Sequence, residues 1–168
     1  IGMTGEDRFS PYFLAHNRGK RSITLNLKNP GARGIALKIA EGCDVAVHNF
    51  RPGVMERLGL RYDDMRTVNP RIIYGHASGW GTKGPRAGHP AFDLAAQAQG
   101  GLVSVTGEPD GDPLPAGAAV AADAGALNLA LAVITALYVR ERTGLGQKID
   151  TSLLGSQIAM QAWEIQYY

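Results

Sequence analysis

The segment from Asp44 to Leu60 constrains the fold more than any other part of the chain. Its apolar run, Val45 to Val47, predicts a buried strand. The run stops at Asn49, and Pro52-Gly53 then turns the chain into a short helix that carries Arg57. Open α/β sheets bind their ligands where a strand ends in a polar turn and a helix begins. The segment therefore predicts an α/β fold with a ligand site at this turn.

Two arginines, Arg51 and Arg57, flank the turn. A guanidinium group offers a planar fork of donors that suits phosphate and carboxylate groups. The N-terminus of the following helix adds backbone N–H groups that favour an anion. We therefore expect the ligand to be anionic.

Strands and helices alternate along most of the chain, which predicts parallel βαβ units. Predicted strands lie at residues 22–27, 45–47, 71–75 and 148–153, and predicted helices at 30–41, 62–68, 92–100, 118–142 and beyond 153. Asn29 and Pro30 suit the N-cap and first position of the first of these helices, which Gly42 ends. Residues 1–21 are expected to be a polar loop.

The helix predicted at 118–142 is almost entirely apolar between Ala124 and Tyr138. A membrane span needs roughly 20 apolar residues. Asp123, Asn128 and Thr135 interrupt the pattern, and three charged residues close it. We expect a buried helix at the centre of a globular core and no membrane partner.

Two glycine-rich and proline-rich loops, at residues 78–90 and 108–117, lie between the predicted elements. The first matches neither the phosphate-binding loop of nucleotide hydrolases nor the dinucleotide fingerprint. Its composition is typical of a mobile loop, and we interpret it as a lid or substrate-side loop.

Composition excludes several classes of protein. A net charge of +2 argues against a dedicated nucleic-acid partner, and one cysteine excludes an internal disulfide framework. None of the four histidines, His16, His48, His76 and His89, has metal-ligand spacing, so no metal site is expected. The polar, mixed start resembles no signal peptide, which makes the cytoplasm the default localisation.

Two aspartates are candidates for chemistry. Asp123 lies at the start of the long apolar helix, where the helix N-terminus stabilises an ionised carboxylate. The alternative is that Asp123 is an ordinary N-cap. Asp93 is expected to cap or decorate the helix at 92–100.

Taken together, these segments resemble the class III coenzyme A transferases. Formyl-CoA transferase and carnitine CoA-transferase belong to that family, and α-methylacyl-CoA racemase is related to it. The matching stretches are residues 17–22, 25–28, 44–60, 69–74, 92–98, 106–109 and 140–147. Each motif is weak alone, but their order and spacing cover nearly the whole chain.

The resemblance implies a Rossmann-like, parallel βαβ large domain that binds CoA and uses no metal. It implies acyl-CoA and carboxylic acid substrates. The implied CoA-binding residues are Leu25, Asn26, Leu27, Lys28, Asn49, Phe50, Arg51, Arg57, Pro90, Ala91 and Phe92, and the implied catalytic residues are Asp93 and Asp123.

In the family, the nucleophile is an aspartate that opens the long helix and attacks the acyl-CoA thioester. An alignment without gaps places Ala122 at that position, and Asp123 follows one residue later. We assign the nucleophile to Asp123, because a loop can absorb a shift of one residue. The alternatives are a CoA-binding module that has lost the nucleophile and a racemase. Phe92 stands where the racemase has its histidine base, which favours the transferase.

Family members are more than twice as long as this chain. The resemblance therefore implies that residues 1–168 are part of the large CoA-binding domain, truncated at both ends. The first βα unit would precede Ile1 and the small domain would follow Tyr168. The complete protein would form an interlocked homodimer.

Overall fold

The computed structural model describes residues 9–167 and contains a three-stranded parallel sheet in the order β1-β2-β3. The strands are β1 (Val45–His48), β2 (Ile73–Ser78) and β3 (Lys148–Ser152). The register aligns His48 with His76, and His76 with Asp150. The predicted α/β fold with a parallel sheet is confirmed. The side chains of His48, His76 and Asp150 share one face of the sheet near the carboxyl ends of the strands.

Eight α-helices and one short 3₁₀ turn (residues 102–104) surround this sheet in the described part of the chain. The helices are α1 (Pro11–Asn17), α2 (Pro30–Glu41), α3 (Val54–Leu58), α4 (Tyr62–Val68), α5 (Asp93–Gln99), α6 (Val120–Thr143), α7 (Leu153–Met160) and α8 (Ala162–Tyr167).

Local sequence signals set the ends of α2. The Asn29 side chain accepts a hydrogen bond from the Gly31 N–H (2.8 Å), Pro30 is the first helical residue, and Gly42 is the C-cap. These boundaries confirm the prediction, because they follow from capping chemistry and need no distant contact.

Two predictions in the first thirty residues are wrong. Residues 22–27 form no strand, and Ile23 is largely exposed, because the alternating pattern meets no strand to pair with in the described chain. Residues 1–8 of the predicted polar loop lie outside the described residues, but the rest of that loop contains α1. Ser10 caps α1 and Pro11 opens it, the same pair of signals that starts α2.

The prediction that α6 is a buried central helix is wrong for the described chain. One face packs on the sheet, where Leu129 and Val133 lie against Gly75. The opposite face is exposed at Leu127, Leu131, Ile134 and Tyr138. Only 22% of its most apolar window is buried, and by length and composition alone α6 could cross a membrane. A helix that is apolar all round needs cover on both faces, and residues 9–167 cover one.

The main hydrophobic core lies between the sheet and helices α2, α3 and α4. Its buried members are Ala40, Met55, Leu60, Met65, Ile72 and Tyr74. This core fixes the two helices that follow β1, and it thereby positions the turn between β1 and α3.

Arg140, near the C-terminal end of α6, is a buried cation that connects this helix to the sheet. Its side chain is 9% exposed, and its Nη2 donates to Asp44 Oδ1 at 2.8 Å. Its Nη1 donates to the backbone carbonyl of Asp44 at 3.3 Å and to that of Arg71 at 3.2 Å. Asp44 precedes β1 and Arg71 precedes β2, so one guanidinium fixes the starts of two strands.

We expect Arg140→Met to destabilise the fold by about 2–4 kcal/mol, because two backbone carbonyls and one carboxylate lose a charged donor. Urea unfolding followed by circular dichroism measures this loss. The matched control is Arg142→Met on the same helix, since Arg142 is exposed and hydrogen bonds only to Tyr138 among the described residues. Equal losses in the two variants would contradict the role of Arg140.

Candidate functional site

Two cavities lie on either side of α3, and Glu56 borders both. The first, the strand-end cavity, has a volume of about 300 Å³ and lies over the row His48–His76–Asp150. It is lined by His48, Arg51, Pro52, Glu56, Arg61, Tyr62, Asp63, Tyr74, His76, Thr82 and Lys148. The second, the basic groove, has a volume of about 580 Å³ and is lined by Leu27, Lys28, Pro30, Arg33, Glu56, Arg57, Leu58 and Gly59.

The basic groove brings together residues that the sequence placed far apart. Leu27 and Lys28 come from the segment before α2, and Arg57 comes from α3. Asn26 shapes that segment, because its side chain accepts a hydrogen bond from the Lys28 N–H at 3.2 Å. Leu25, the fourth residue predicted here, is half-buried just upstream.

Sequence reasoning missed Arg33, which lines the same groove. Its Nε donates to the Gly59 carbonyl at 2.9 Å, and this contact connects α2 to the end of α3. The signal that could have found Arg33 is its place one turn into the helix that follows Lys28. The charged residues that line the groove are then three cations, Lys28, Arg33 and Arg57, and one carboxylate, Glu56. This excess of positive charge suits phosphate groups.

The turn between β1 and α3 carries Asn49, Phe50 and Arg51 at the surface. The side chain of Phe50 is 46% exposed, and its backbone carbonyl accepts a hydrogen bond from His76 Nε2 at 2.8 Å. Arg51 lines the strand-end cavity whereas Arg57 lines the basic groove. The two predicted arginines therefore belong to adjacent cavities, with the turn between them.

A pair of stacked histidines forms the floor of the strand-end cavity. The rings of His48 and His76 lie 4.3 Å apart at an angle of 17°. His76 Nδ1 lies 3.1 Å from Asp150 Oδ1, and Lys148 Nζ lies 3.3 Å from Asp150 Oδ2. The spacing of these histidines predicts no metal site, although each follows a predicted strand. The parallel register brings them together.

Burial controls the ionisation of two groups at this cavity. Burial, and after it the neighbouring His76, lowers the pKa of His48 to about 4. Burial, and after it the charge of Glu56, raises the pKa of the Tyr74 phenol. Tyr74 is therefore a neutral donor, and its hydroxyl donates to the Leu60 carbonyl at 3.1 Å.

The glycine-rich loop leaves β2 and returns to α5 with its two ends in contact. Trp80 Nε1 donates to the Pro90 carbonyl at 3.2 Å, and a side chain at Gly79 would overlap Ala91. Thr82 of this loop lines the strand-end cavity. Pro90, Ala91 and Phe92 line neither of the two cavities, and Phe92 is 78% exposed. That the loop acts as a lid stays a prediction.

Asp93 connects α5 to the start of α6. Its Oδ1 accepts a hydrogen bond from the Ala122 backbone N–H at 2.9 Å, and its Oδ2 accepts one from Gln97 Nε2 at 2.5 Å. Gln97 in turn accepts from the Ala116 N–H (2.9 Å) and donates to the Ala118 carbonyl (3.1 Å). Asp93 thus caps a helix other than its own, which sequence reasoning missed because the two residues lie far apart in the chain.

Asp123 lies in the first turn of α6, as predicted from the sequence. The alternative that it is the N-cap is wrong, because Ala119 occupies that position. Asp123 is exposed, whereas Ala122 is half-buried and its backbone N–H donates a hydrogen bond to Asp93. Within residues 9–167, no group of three or more His, Cys, Asp or Glu side chains could hold a metal ion.

The low pKa of His48 makes a prediction about stability. Between pH 6.5 and about 4, the unfolded chain takes up a proton at His48 while the folded chain does not. Stability therefore falls as the pH falls through this window, by at most about 3 kcal/mol from this group. We expect His48→Gln to make the loss of stability between pH 7 and pH 4.5 smaller in urea unfolding.

The control for this measurement is His89→Gln, because His89 is exposed in the glycine-rich loop. The stability of the His89→Gln protein should depend on pH in the same way as that of the wild type. If the His48→Gln protein also follows the wild-type curve, the buried neutral state of His48 is refuted.

Known proteins resemble this chain in sequence and in fold. It is 46% identical over 151 residues to acetyl-CoA:oxalate CoA-transferase from Acetobacter aceti, a match covering 89% of this chain and 39% of that protein. It is 41% identical over 150 residues to succinyl-CoA:glutarate CoA-transferase from Mus musculus, covering 89% and 34%. The chain thus spans about two-fifths or less of the length of these curated relatives.

Solved structures agree with the sequence matches. A hypothetical protein from Mycobacterium tuberculosis superposes with a TM-score of 0.88 at 35% identity, over 94% of this chain and 45% of that one. A CaiB/BaiF family protein from Brucella suis superposes with a TM-score of 0.85 at 35% identity, over 89% and 40%. The model of CoA-transferase family III matches residues 1–168, so this chain belongs to that family.

Proposed function

We propose that this chain is the CoA-binding part of an enzyme that moves coenzyme A from an acyl-CoA thioester to a carboxylic acid. The observation that carries the proposal is the basic groove, where Lys28, Arg33 and Arg57 meet beside the turn that follows β1. Relatives named for transfer of CoA to oxalate and to glutarate support the same reaction type.

CoA is an elongated molecule with phosphate groups at one end and a thiol at the other. The cations of the basic groove suit the phosphates, since charged N–H donors to phosphate oxygens are strong and directional. Leu27 and Lys28 line the groove on one side and α3 lines it on the other, whereas Arg51 of the turn lines the adjacent strand-end cavity. The exposed ring of Phe50 offers an apolar surface in that turn.

The proposed chemistry is covalent catalysis by Asp123. Its carboxylate attacks the thioester carbonyl and expels the CoA thiolate, which leaves a mixed anhydride. The thiolate then attacks the aspartyl carbonyl and releases the donor acid, which leaves an aspartyl-CoA thioester. The acceptor carboxylate reverses these steps and carries CoA away. One difficult exchange becomes several easier ones.

The start of α6 supports this role for Asp123. The first turn of a 24-residue helix favours an ionised carboxylate. Asp93 accepts from Ala122 in this turn, and Gln97 contacts Ala116 and Ala118 in the segment just before it. In this scheme Asp93 positions the nucleophile, because both of its carboxylate oxygens already accept hydrogen bonds.

A second candidate function is CoA binding without catalysis. It is favoured by one observation, that the family's nucleophile position falls on Ala122 and that the Ala122 N–H is bonded to Asp93. An enzyme of the racemase type is the third candidate. It would abstract a proton next to the thioester and would need no acceptor acid.

We also propose the domain context, oligomeric state, localisation and partners of the complete enzyme. The chain would be part of the large domain, and the complete protein an interlocked homodimer in the cytoplasm, without nucleic-acid or membrane partners. The exposed apolar face of α6 supports the presence of further protein over this surface. Acyl-CoA and a carboxylic acid would be its substrates.

We expect Asp123→Asn in the natural protein to lower CoA exchange by about 10⁴-fold, because an amide cannot form the anhydride. Hydroxylamine trapping of the acyl-enzyme followed by mass spectrometry tests the same step directly. The matched control is Asp110→Asn in the exposed loop before α6, which should exchange CoA at the wild-type rate.

Three outcomes separate the candidates. A trapped adduct that persists in the Asp123→Asn protein would show that the nucleophile is another residue. Tight CoA binding without exchange of labelled acid in the wild type would favour the non-catalytic module. Deuterium incorporation from solvent beside the thioester, with no acceptor present, would favour the racemase.

We expect Arg57→Ala to weaken CoA binding by about tenfold and to reduce its dependence on salt, because one charged contact to phosphate is lost. Isothermal titration at two salt concentrations measures both effects. Arg66→Ala on α4 is the control, since Arg66 is exposed and lines neither cavity. Unchanged affinity for CoA in the Arg57→Ala protein would show that the phosphates do not bind in the basic groove.

A further inference from the structure

We propose that His76 is a positioning residue for CoA, which orients the turn Asn49–Arg51 by donating to the Phe50 carbonyl, and that Asp150 orients His76. This inference rests on the proposed function, since it takes the turn to be a CoA contact. It assigns a role to two side chains at the sheet edge that the transfer chemistry does not use.

The three groups form a chain across the sheet. Asp150 on β3 contacts His76 on β2 at 3.1 Å, and His76 contacts the Phe50 carbonyl beyond β1 at 2.8 Å. The last register pair between β1 and β2 is His48 with His76. The His76 ring therefore connects β2 to Phe50 in the turn, two residues beyond the last paired residue of β1, His48.

Both partners of His76 are hydrogen-bond acceptors. A backbone carbonyl can only accept, so Nε2 carries a hydrogen. Asp150 also contacts Lys148 Nζ at 3.3 Å, so its carboxylate is held in place on the Nδ1 side of the ring. The hydrogen on Nε2 makes the ring a donor to the turn, and the contact at Nδ1 fixes the direction in which it points.

The side chain of His76 has little freedom to move away from this geometry. The residue is 3% exposed, and the ring of His48 covers one face of its ring. His48 is neutral at pH 7, because its pKa is lowered to about 4, so the ring stacked on His76 adds no charge there. Because its ring is held by Asp150 and by His48, His76 can keep the turn Asn49–Arg51 in one orientation.

Other charged groups face this pair from every neighbouring element. Lys148 and Asp150 come from β3, Glu56 from α3, and Arg61 and Asp63 from α4. Arg51 comes from the turn itself, and Tyr74 and His48 are the remaining titratable groups of the two strands. The cations and carboxylates are mixed, and the direct partner of His76 among the side chains is Asp150.

Two amide substitutions separate the two hydrogen bonds of His76. The amide nitrogen of a glutamine can take the place of Nε2, whereas that of an asparagine can take the place of Nδ1 only. His76→Gln thus keeps a donor for the Phe50 carbonyl, and His76→Asn keeps one for Asp150 alone. Both variants bury a neutral amide of similar polarity, so they differ mainly in the contact to the turn.

In the natural protein, we expect His76→Asn to raise Kd for CoA and KM for acyl-CoA by up to about tenfold, the effect of one lost hydrogen bond. kcat should change by less than about threefold, because no reacting atom is touched. His76→Gln should restore most of the affinity. The control is His16→Asn on α1, an exposed histidine whose Nδ1 contacts only its own helix in the described chain.

A double-mutant cycle tests the role of Asp150. Asp150→Ala should weaken CoA binding in the wild type, and it should have no further effect in the His76→Asn protein. Nitrogen-15 spectra of the ring supply a readout that does not depend on CoA. They should show a hydrogen on Nε2 of His76, the nitrogen that faces the Phe50 carbonyl.

The outcomes distinguish this inference from the proposed function. If the wild type binds no CoA, the proposed function fails, whatever the spectra of His76 show. If the wild type binds CoA and His76→Asn binds it equally well, the positioning role is overturned. A ring without a hydrogen on Nε2, or equal losses in His76→Asn and His76→Gln, would also overturn it.

Discussion

The contact on which the rest of this structure depends is the pairing of the buried Arg140 guanidinium with Asp44 and with the backbone before β1 and β2. It fixes the starts of two parallel strands against the C-terminal end of α6. Because each strand rises by a constant step, fixing the starts also fixes the register at the other edge. At that edge His48 lies beside His76, whereas Asp150 is placed there by the pairing of β3 with β2.

The other end of α6 is connected to the fold by a different kind of chemistry. Asp93 accepts the Ala122 N–H, and Gln97 connects the same region to α5. A long helix that is fixed at both ends, by a cation at its C-terminus and a carboxylate at its N-terminus, also has its macrodipole compensated. The first turn thus has a defined place relative to the sheet, with Ala121 buried and Asp123 exposed in the described chain.

Most secondary structure was predictable from local chemistry. Capping signals set α2, alternation of apolar and polar segments predicted β1, β2 and β3, and the parallel order follows from their spacing. Helix α1 is the exception, because Ser10 and Pro11 carry the local signals of a helix start within a segment expected to be a loop. The other two errors have one physical origin. Residues 22–27 carry a strand pattern and α6 carries a core pattern, but both patterns describe burial, and burial needs a partner that residues 9–167 do not provide.

The sequence by itself determined the type of fold, the turn after β1 and the cations beside it, because strand, turn and helix signals and charge are local properties of residues. Only the tertiary structure decided which distant groups meet: Arg33 with Lys28 and Arg57, Asp93 with Ala122, and His76 with Asp150 and Phe50. These contacts join residues up to 74 positions apart. They depend on strand register and helix packing, which arise from burial summed over the whole chain, so no single motif encodes them.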